Sequence, residues 1–152
     1  VVFASEAGNL VSHDFNGTWD IFVRDLNAGE TRLISVAEDG SGSAGGRSYP
    51  ENNALCRTPL LSGDGRWVVF ESLATNLAQL VDTNGAYDIF ARDRWNDLTV
   101  VVSANHDGAG TAQGASIEPS LSEDGRWVAF SRIGNPFVYA TEVRTTATRL
   151  IP

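Results

Sequence analysis

Apolar residues in this chain fall in short runs rather than in helical stripes. Trp67-Val-Val-Phe70, Asp88-Ile-Phe-Ala-Arg92, Leu98-Thr-Val-Val-Val102 and Trp127-Val-Ala-Phe130 are rich in β-branched and aromatic side chains. Gly, Asp, Asn or Pro lies close on either side of each run. Such runs suit a pleated, half-buried surface, and their flanks read as turns. No segment sustains the 3.6-residue apolar period of an amphipathic helix. The pattern predicts an all-β chain of short antiparallel strands.

The runs recur. Leu61-Ser-Gly-Asp-Gly-Arg-Trp-Val-Val-Phe-Glu-Ser72 matches Leu121-Ser-Glu-Asp-Gly-Arg-Trp-Val-Ala-Phe-Ser-Arg132 at eight of twelve positions, with Pro59 and Pro119 two residues ahead. Val1-Val-Phe-Ala-Ser5 corresponds to the end of a third copy. A second block repeats at an offset of 68, Trp19-Asp-Ile-Phe-Val-Arg-Asp25 against Tyr87-Asp-Ile-Phe-Ala-Arg-Asp93. Gly40–Gly46 and Gly108–Gly114 follow at the same offset. The first block repeats at 60, so eight residues are inserted between Ser48 and Pro59, within Tyr49–Arg57.

Four strands per repeat, here labelled a to d, make one blade of a β-propeller. Strand a precedes the Asp-Gly turn, b is Arg-Trp-Val, c is Asp-Ile-Phe and d is Leu-Thr-Val-Val-Val. Asp64-Gly65 and Asp124-Gly125 predict tight type I′ hairpins between a and b. The chain then divides into blade one at 1–35 without strand a, blade two at 58–103, and blade three at 117–151, with Phe137-Val-Tyr139 as a degenerate c strand. Residues 1–152 form a single propeller segment on this reading. Three blades do not close a ring, whose usual minimum is about four.

These residues resemble a known family. Pro-x-Leu-Ser-x-Asp-Gly-Arg-Trp-Val, Asn9-Leu10 and Asn76-Leu77, and Asp-x-Asn-Gly-x-x-Asp-Ile-Phe-x-Arg-Asp are similar to the TolB-like, WD40-like (PD40) propeller repeat. The resemblance implies the propeller fold and a periplasmic or extracellular setting. It bears weakly on function, because that family holds partner-binding proteins, enzyme-associated domains and lyases. Blade three departs from the pattern after Arg132, so no site residue is carried onto it.

Composition narrows the function classes. The net charge is −8, the pI is near 4.6, and all 11 cationic side chains are arginines scattered along the chain. Nucleic acid and anionic membrane surfaces are therefore poor partners. No apolar stretch approaches the roughly 20 residues needed to insert into a bilayer. The single Cys56 forms no internal disulfide and no cysteine zinc site.

The sharpest chemical pattern lies in the b–c loops. Asp14-Phe-Asn-Gly-Thr-Trp-Asp20 and Asp82-Thr-Asn-Gly-Ala-Tyr-Asp88 share the spacing D-x-N-G-x-x-D. Asp14, Asn16 and Asp20, and likewise Asp82, Asn84 and Asp88, present oxygens as the start of a Ca²⁺ loop does. The bidentate Glu that completes an EF-hand loop is missing. The same residues read equally as an Asn-Gly hairpin braced by aspartates, so Ca²⁺ and a purely structural turn both stand. Trp67 and Trp127 read as inter-blade core, with Arg66 and Arg126 pairing to Asp93 or Asp25. His13 and His106 read as loop residues, and Cys56 has no recognisable base. No catalytic fingerprint is found.

In an up-and-down blade the b–c and d–a connections emerge at one end. The two acidic loops and the insertion then share a face, with Tyr49, Glu51, Asn52 and Asn53 as candidate partner contacts. Three functions follow: a non-catalytic scaffold that binds a protein or a glycan through this face, an enzyme or enzyme-associated propeller acting on polysaccharide, or a structural segment that self-associates. A two-fold homodimer of three blades each would make six.

Overall fold

The structure is a computed structural model and describes residues 1–45, 56–80, 82, 84–105 and 110–151. Eleven strands form three antiparallel sheets among these residues. The first holds β1 (Val2–Ser5), β2 (Asp20–Asp25) and β3 (Glu30–Leu33). The second holds β4 (Cys56–Leu61), β5 (Trp67–Ser72), β6 (Asp88–Asp93) and β7 (Leu98–Val101). The third holds β8 (Ser116–Leu121), β9 (Trp127–Arg132), β10 (Val138–Glu142) and β11 (Ala147–Ile151). In every sheet chain order is spatial order, which is the up-and-down meander of a propeller blade.

Sheets stack face to face, and the middle one is covered on both sides. Side chains alternate across a strand, so Val68 and Phe70 of β5 enter one core with Ile21, Val23 and Ile34 of the first sheet. Trp67 and Val69 enter the other with Val128, Phe130 and Val143 of the third. This is why Trp67-Val-Val-Phe is apolar without alternation: every position of β5 is buried. The expected inter-blade role of Trp67 is met. In β9, Val128 and Phe130 face the second sheet, while Trp127 turns to the other side and is half-buried.

One aromatic pair recurs across the b–c ladder of each sheet. Phe3 faces Phe22, Phe70 faces Phe90, and Phe130 faces Tyr139, all stacked with centroids 5.7–6.0 Å apart. Tyr139 thus occupies the c-strand position of the third blade, although β10 runs on to Glu142, beyond the expected Phe137-Val-Tyr139. Pro59 and Pro119 sit at bulges in β4 and β8, where Thr58 (φ 50°) and Glu118 (φ 57°) adopt the left-handed conformation. A bulge tolerates proline because the ladder is already interrupted there.

The Asp-Gly hairpins differ from the type I′ expectation. Only the glycines, Gly65 (φ 72°) and Gly125 (φ 68°), take positive φ; Asp64 and Asp124 do not. Each turn spans more residues, closing with Ser62 N–H to Trp67 O at 2.9 Å and Ser122 N–H to Trp127 O at 2.9 Å. The reason is a side-chain relay. The Ser62 hydroxyl donates to Asp64 at 2.6 Å and accepts from the Trp67 amide, while Asp64 accepts from the Arg66 amide at 3.0 Å. Ser122, Asp124, Arg126 and Trp127 repeat it.

Gly125 also sets the approach of the third sheet to the second. A Cβ there would lie 2.8 Å from the Trp67 ring and 3.1 Å from Ser62 Cβ, at a φ that L residues rarely adopt. Gly125→Ala is expected to cost about 2–3 kcal/mol, combining a left-handed backbone with overpacking. Gly40→Ala, at φ 72° in open space, carries only the backbone cost of about 1 kcal/mol. Urea midpoints compare the two; equal losses would place the contact with Trp67 outside the energetics.

Candidate functional site

Antiparallel order puts the β1–β2, β3–β4, β5–β6 and β7–β8 connections at one end of the stack. The short turns at 26–29, 62–66, 94–97, 122–126 and 143–146 lie at the other. The long loops are tied to one another. In the first blade Ser43 N–H donates to the His13 carbonyl at 2.9 Å, and the Asn16 amide donates to Ala44 O at 2.8 Å. The first blade's β3–β4 loop meets the second blade's β5–β6 loop through Glu38 N–H to Asn76 O (2.8 Å), Gly45 N–H to Asn76 Oδ1 (2.8 Å) and Gln79 to Glu38 (3.0 Å). Matching isolated bridges, Val36 to Ser43 and Ala104 to Thr111, occur in the two glycine-rich connections. That arrangement makes them inter-blade architecture.

The two acidic loops have one sequence spacing and two hydrogen-bond assignments. In the second loop Asp82 Oδ1 accepts from the amides of Asn84 (3.0 Å) and Gly85 (3.3 Å) and from the Thr111 hydroxyl (3.2 Å). Asp88 accepts from the Ser103 hydroxyl at 2.7 Å and the Asn84 amide at 3.1 Å. In the first loop the Ser43 hydroxyl, the counterpart of Thr111, instead takes the amides of Phe15 (3.0 Å) and Asn16 (3.2 Å). Asp14 is relieved of capping. Both of its carboxylate oxygens are buried without a partner, as is Asp20 Oδ2.

Asn16 and Asn84 act as braces in both loops. Asn16 Oδ1 accepts the Thr18 amide at 3.1 Å, and Asn84 Oδ1 accepts the Ala86 amide at 2.6 Å. Asp20 and Asp88 open β2 and β6 and are fully or almost fully buried. Burial pushes Asp20 up to about 6 and Asp88 up to about 7. The hydroxyls of Ser35 and Ser103 pull the other way, and the charges of Asp14 and Asp82 add to the rise. Ser35 and Ser103 each bridge the aspartate to a strand amide, Ile21 N–H at 3.1 Å and Ile89 N–H at 3.0 Å. These serines are 68 residues apart, so the repeat alignment carries the signal that would have found them.

Sequence reasoning also passed over the aromatic part of the first loop. Phe15 is 74% exposed and Trp19 40% exposed, and Leu10, earlier in the same β1–β2 connection, is 36% exposed. His13 meets Phe15 edge-on, with ring centroids 6.1 Å apart. In the second loop the Trp19 counterpart, Tyr87, is half-buried with the Arg57 guanidinium 3.9 Å over its ring. Arg57 in turn bonds buried Glu71 at 2.6 Å, and Glu71 accepts the Glu118 amide of β8. Tyr49, Glu51, Asn52, Asn53 and His106 lie outside the described residues.

The opposite end is held by charge pairing. Arg66 grips Asp93 at 3.0 and 2.5 Å, and stacks over Trp95 at 4.9 Å. Arg126 takes Glu142 at 2.8 Å rather than Asp25. Cys56 is fully buried against the Ser72 hydroxyl, and burial pushes its thiol up to about 12, far from a reactive thiolate. Among the described residues no three His, Cys, Asp or Glu side chains gather into a metal centre of their own. Nor is any helix among them long and apolar enough to cross a membrane.

The fold is that of a β-propeller segment, three stacked meander blades with their long loops at one end. Solved structures to which the chain is similar include TolB from Acinetobacter baumannii, at 18% identity and a TM-score of 0.49, covering 90% of this chain and 27% of that one. A putative TolB from Agrobacterium tumefaciens matches at 18% identity and a TM-score of 0.50, covering 90% of this chain and 38% of that one. The chain thus spans well under half the length of either. No family model and no curated protein matches the sequence.

Proposed function

We propose that this chain is a non-catalytic binding scaffold that recognises a protein through its long-loop face. The observation that carries the reading is that Phe15, Trp19 and Leu10 are all exposed on one connection, which is pinned by the Ser43 and Asn16 hydrogen bonds. Exposed aromatic anchors on a preorganised platform are the residues on which interfaces concentrate their energy. A glycan is the competing ligand for the same ring faces. The family resemblance supports a periplasmic or extracellular site of action.

The test is capture from a periplasmic extract, followed by mass-spectrometric identification and titration of the purified partner. Phe15→Ala with Trp19→Ala is expected to weaken binding by 30-fold or more, at about 2 kcal/mol for a hot-spot pair. Leu26→Ala on the opposite face should leave it unchanged. The reverse ranking, or retention of a polysaccharide and no protein, would overturn the reading.

A second reading, self-association, has its own observation. The outer face of the third sheet forms an apolar groove of about 540 Å³ lined by Leu121, Trp127, Ala129, Ala140, Leu150 and Ile151. The corresponding face of the second sheet is covered by the third. Light scattering would report twice the 16.3 kDa monomer mass if copies pair through it. A monomer mass at 100 µM would sink this second reading.

A further inference from the structure

We propose that the first acidic loop is a binding site for one hard divalent cation of Ca²⁺ type, held by Asp14 and Asp20, whereas the second loop is a self-satisfied turn. The difference rests on one exchange. Ser43 caps the first loop where Asp82 caps the second, so Asp14 is left with nothing to accept. Asp14 is only 8% exposed and Asp20 is fully buried. Their three unpartnered oxygens are Asp14 Oδ1, Asp14 Oδ2 and Asp20 Oδ2.

Buried carboxylate oxygens without partners are strongly unfavourable, so native proteins cancel them with a donor, a counter-charge or a metal. No arginine among the described residues is ion-paired to either aspartate, and the chain has no lysine. One N–H of the Asn16 amide goes to the Ala44 carbonyl and the other lies towards Asp20, but neither carboxylate oxygen of Asp14 has a donor. A cation brings charge to both carboxylates at once. Three carboxylate oxygens fall short of the six to eight that Ca²⁺ takes, so backbone carbonyls and water complete the shell. That composition belongs with the weak sites of extracellular modules, with Kd of about 10⁻⁴–10⁻³ M. The site stands whether or not the loop face binds a protein.

Calorimetric titration with CaCl₂ after chelator treatment tests it, together with Tb³⁺ luminescence excited through Trp19 in the same loop. One Ca²⁺ per chain is expected. Asp14→Asn should weaken it at least tenfold and Asp82→Asn should not; Mg²⁺ should bind more weakly. Tb³⁺ emission should rise in wild type, fall away in Asp14→Asn, and be displaced by Ca²⁺. Asp20→Asn provides a second ligand variant if Asp14→Asn does not fold. Silence in both assays up to 10 mM Ca²⁺ would overturn the proposal. So would equal binding by Asp14→Asn and wild type, which would mark diffuse attraction to a chain of charge −8. A neutral-pH stability gain in Asp14→Asn without any Ca²⁺ isotherm would assign the buried oxygens to a shared proton and equally sink the metal.

Discussion

Asp93→Ala is expected to lower the unfolding free energy by about 2–3 kcal/mol, the cost of losing charged hydrogen bonds at a carboxylate that is buried while its arginine partner is only half-buried. Asp93 accepts both guanidinium contacts of Arg66 and also the amides of Trp95 (3.0 Å) and Asn96 (3.4 Å) in the β6–β7 turn. Burial pushes its carboxyl up, but these donors outweigh that and hold it at about 2. Asp25→Ala is the internal control. Asp25 caps its turn through the amides of Asn27 (2.9 Å) and Ala28 (3.0 Å), is exposed, and no arginine is ion-paired to it among the described residues. Its removal should cost clearly less, because water replaces the hydrogen bonds of an exposed carboxylate. Chemical denaturation of both variants gives the comparison. Equal losses would mean that Arg66 contributes nothing beyond the cap.

The second large effect is on pH dependence. With its carboxyl raised to about 7, Asp88 keeps a proton in the folded chain that the unfolded chain has released above about 3.8. Folding therefore binds more protons than unfolding across that window, and stability falls as pH rises through it. The contribution is whole below about 4 and lost above about 7. Its ceiling is about 4 kcal/mol, at about 1.4 kcal/mol per tenfold change in proton affinity. Asp20, raised to about 6, acts in the same direction over a narrower range. Asp93, held at about 2, acts oppositely and makes the chain less stable as pH drops through the range below 4. The melting temperature in chelator should be highest between about pH 4 and 5 and decline towards pH 8. Asp88→Asn should flatten the decline. A profile rising from pH 5 to pH 8 would place Asp88 in a solvated, ionised state.

Much of this fold is legible in the sequence because each blade is punctuated in the same way. The Arg-Trp-Val-x-Phe and Asp-Ile-Phe blocks are b and c strands, and the offsets between copies place them without further argument. What stayed hidden depends on contacts between side chains that are far apart or differ between copies. The Asp-Gly turns looked like two-residue hairpins; only the Ser62–Asp64 and Ser122–Asp124 relays show why they are longer. The two acidic loops looked alike by spacing. Ser43 against Thr111, each 23 residues beyond the end of its motif, decides which aspartate caps the turn and which is left bare. Nothing in the sequence marks Phe15 and Trp19 as exposed; their exposure follows from the turn that the asparagine braces.

The central claim is that recognition takes place on the long-loop face, and hydrogen exchange of the chain alone and with its captured partner tests it most directly. The account predicts slowed exchange over residues 8–19 and 36–45, with the turns at 62–66 and 94–97 unchanged. Protection confined to those short turns, with the Phe15–Trp19 loop exchanging as in the free chain, would contradict it.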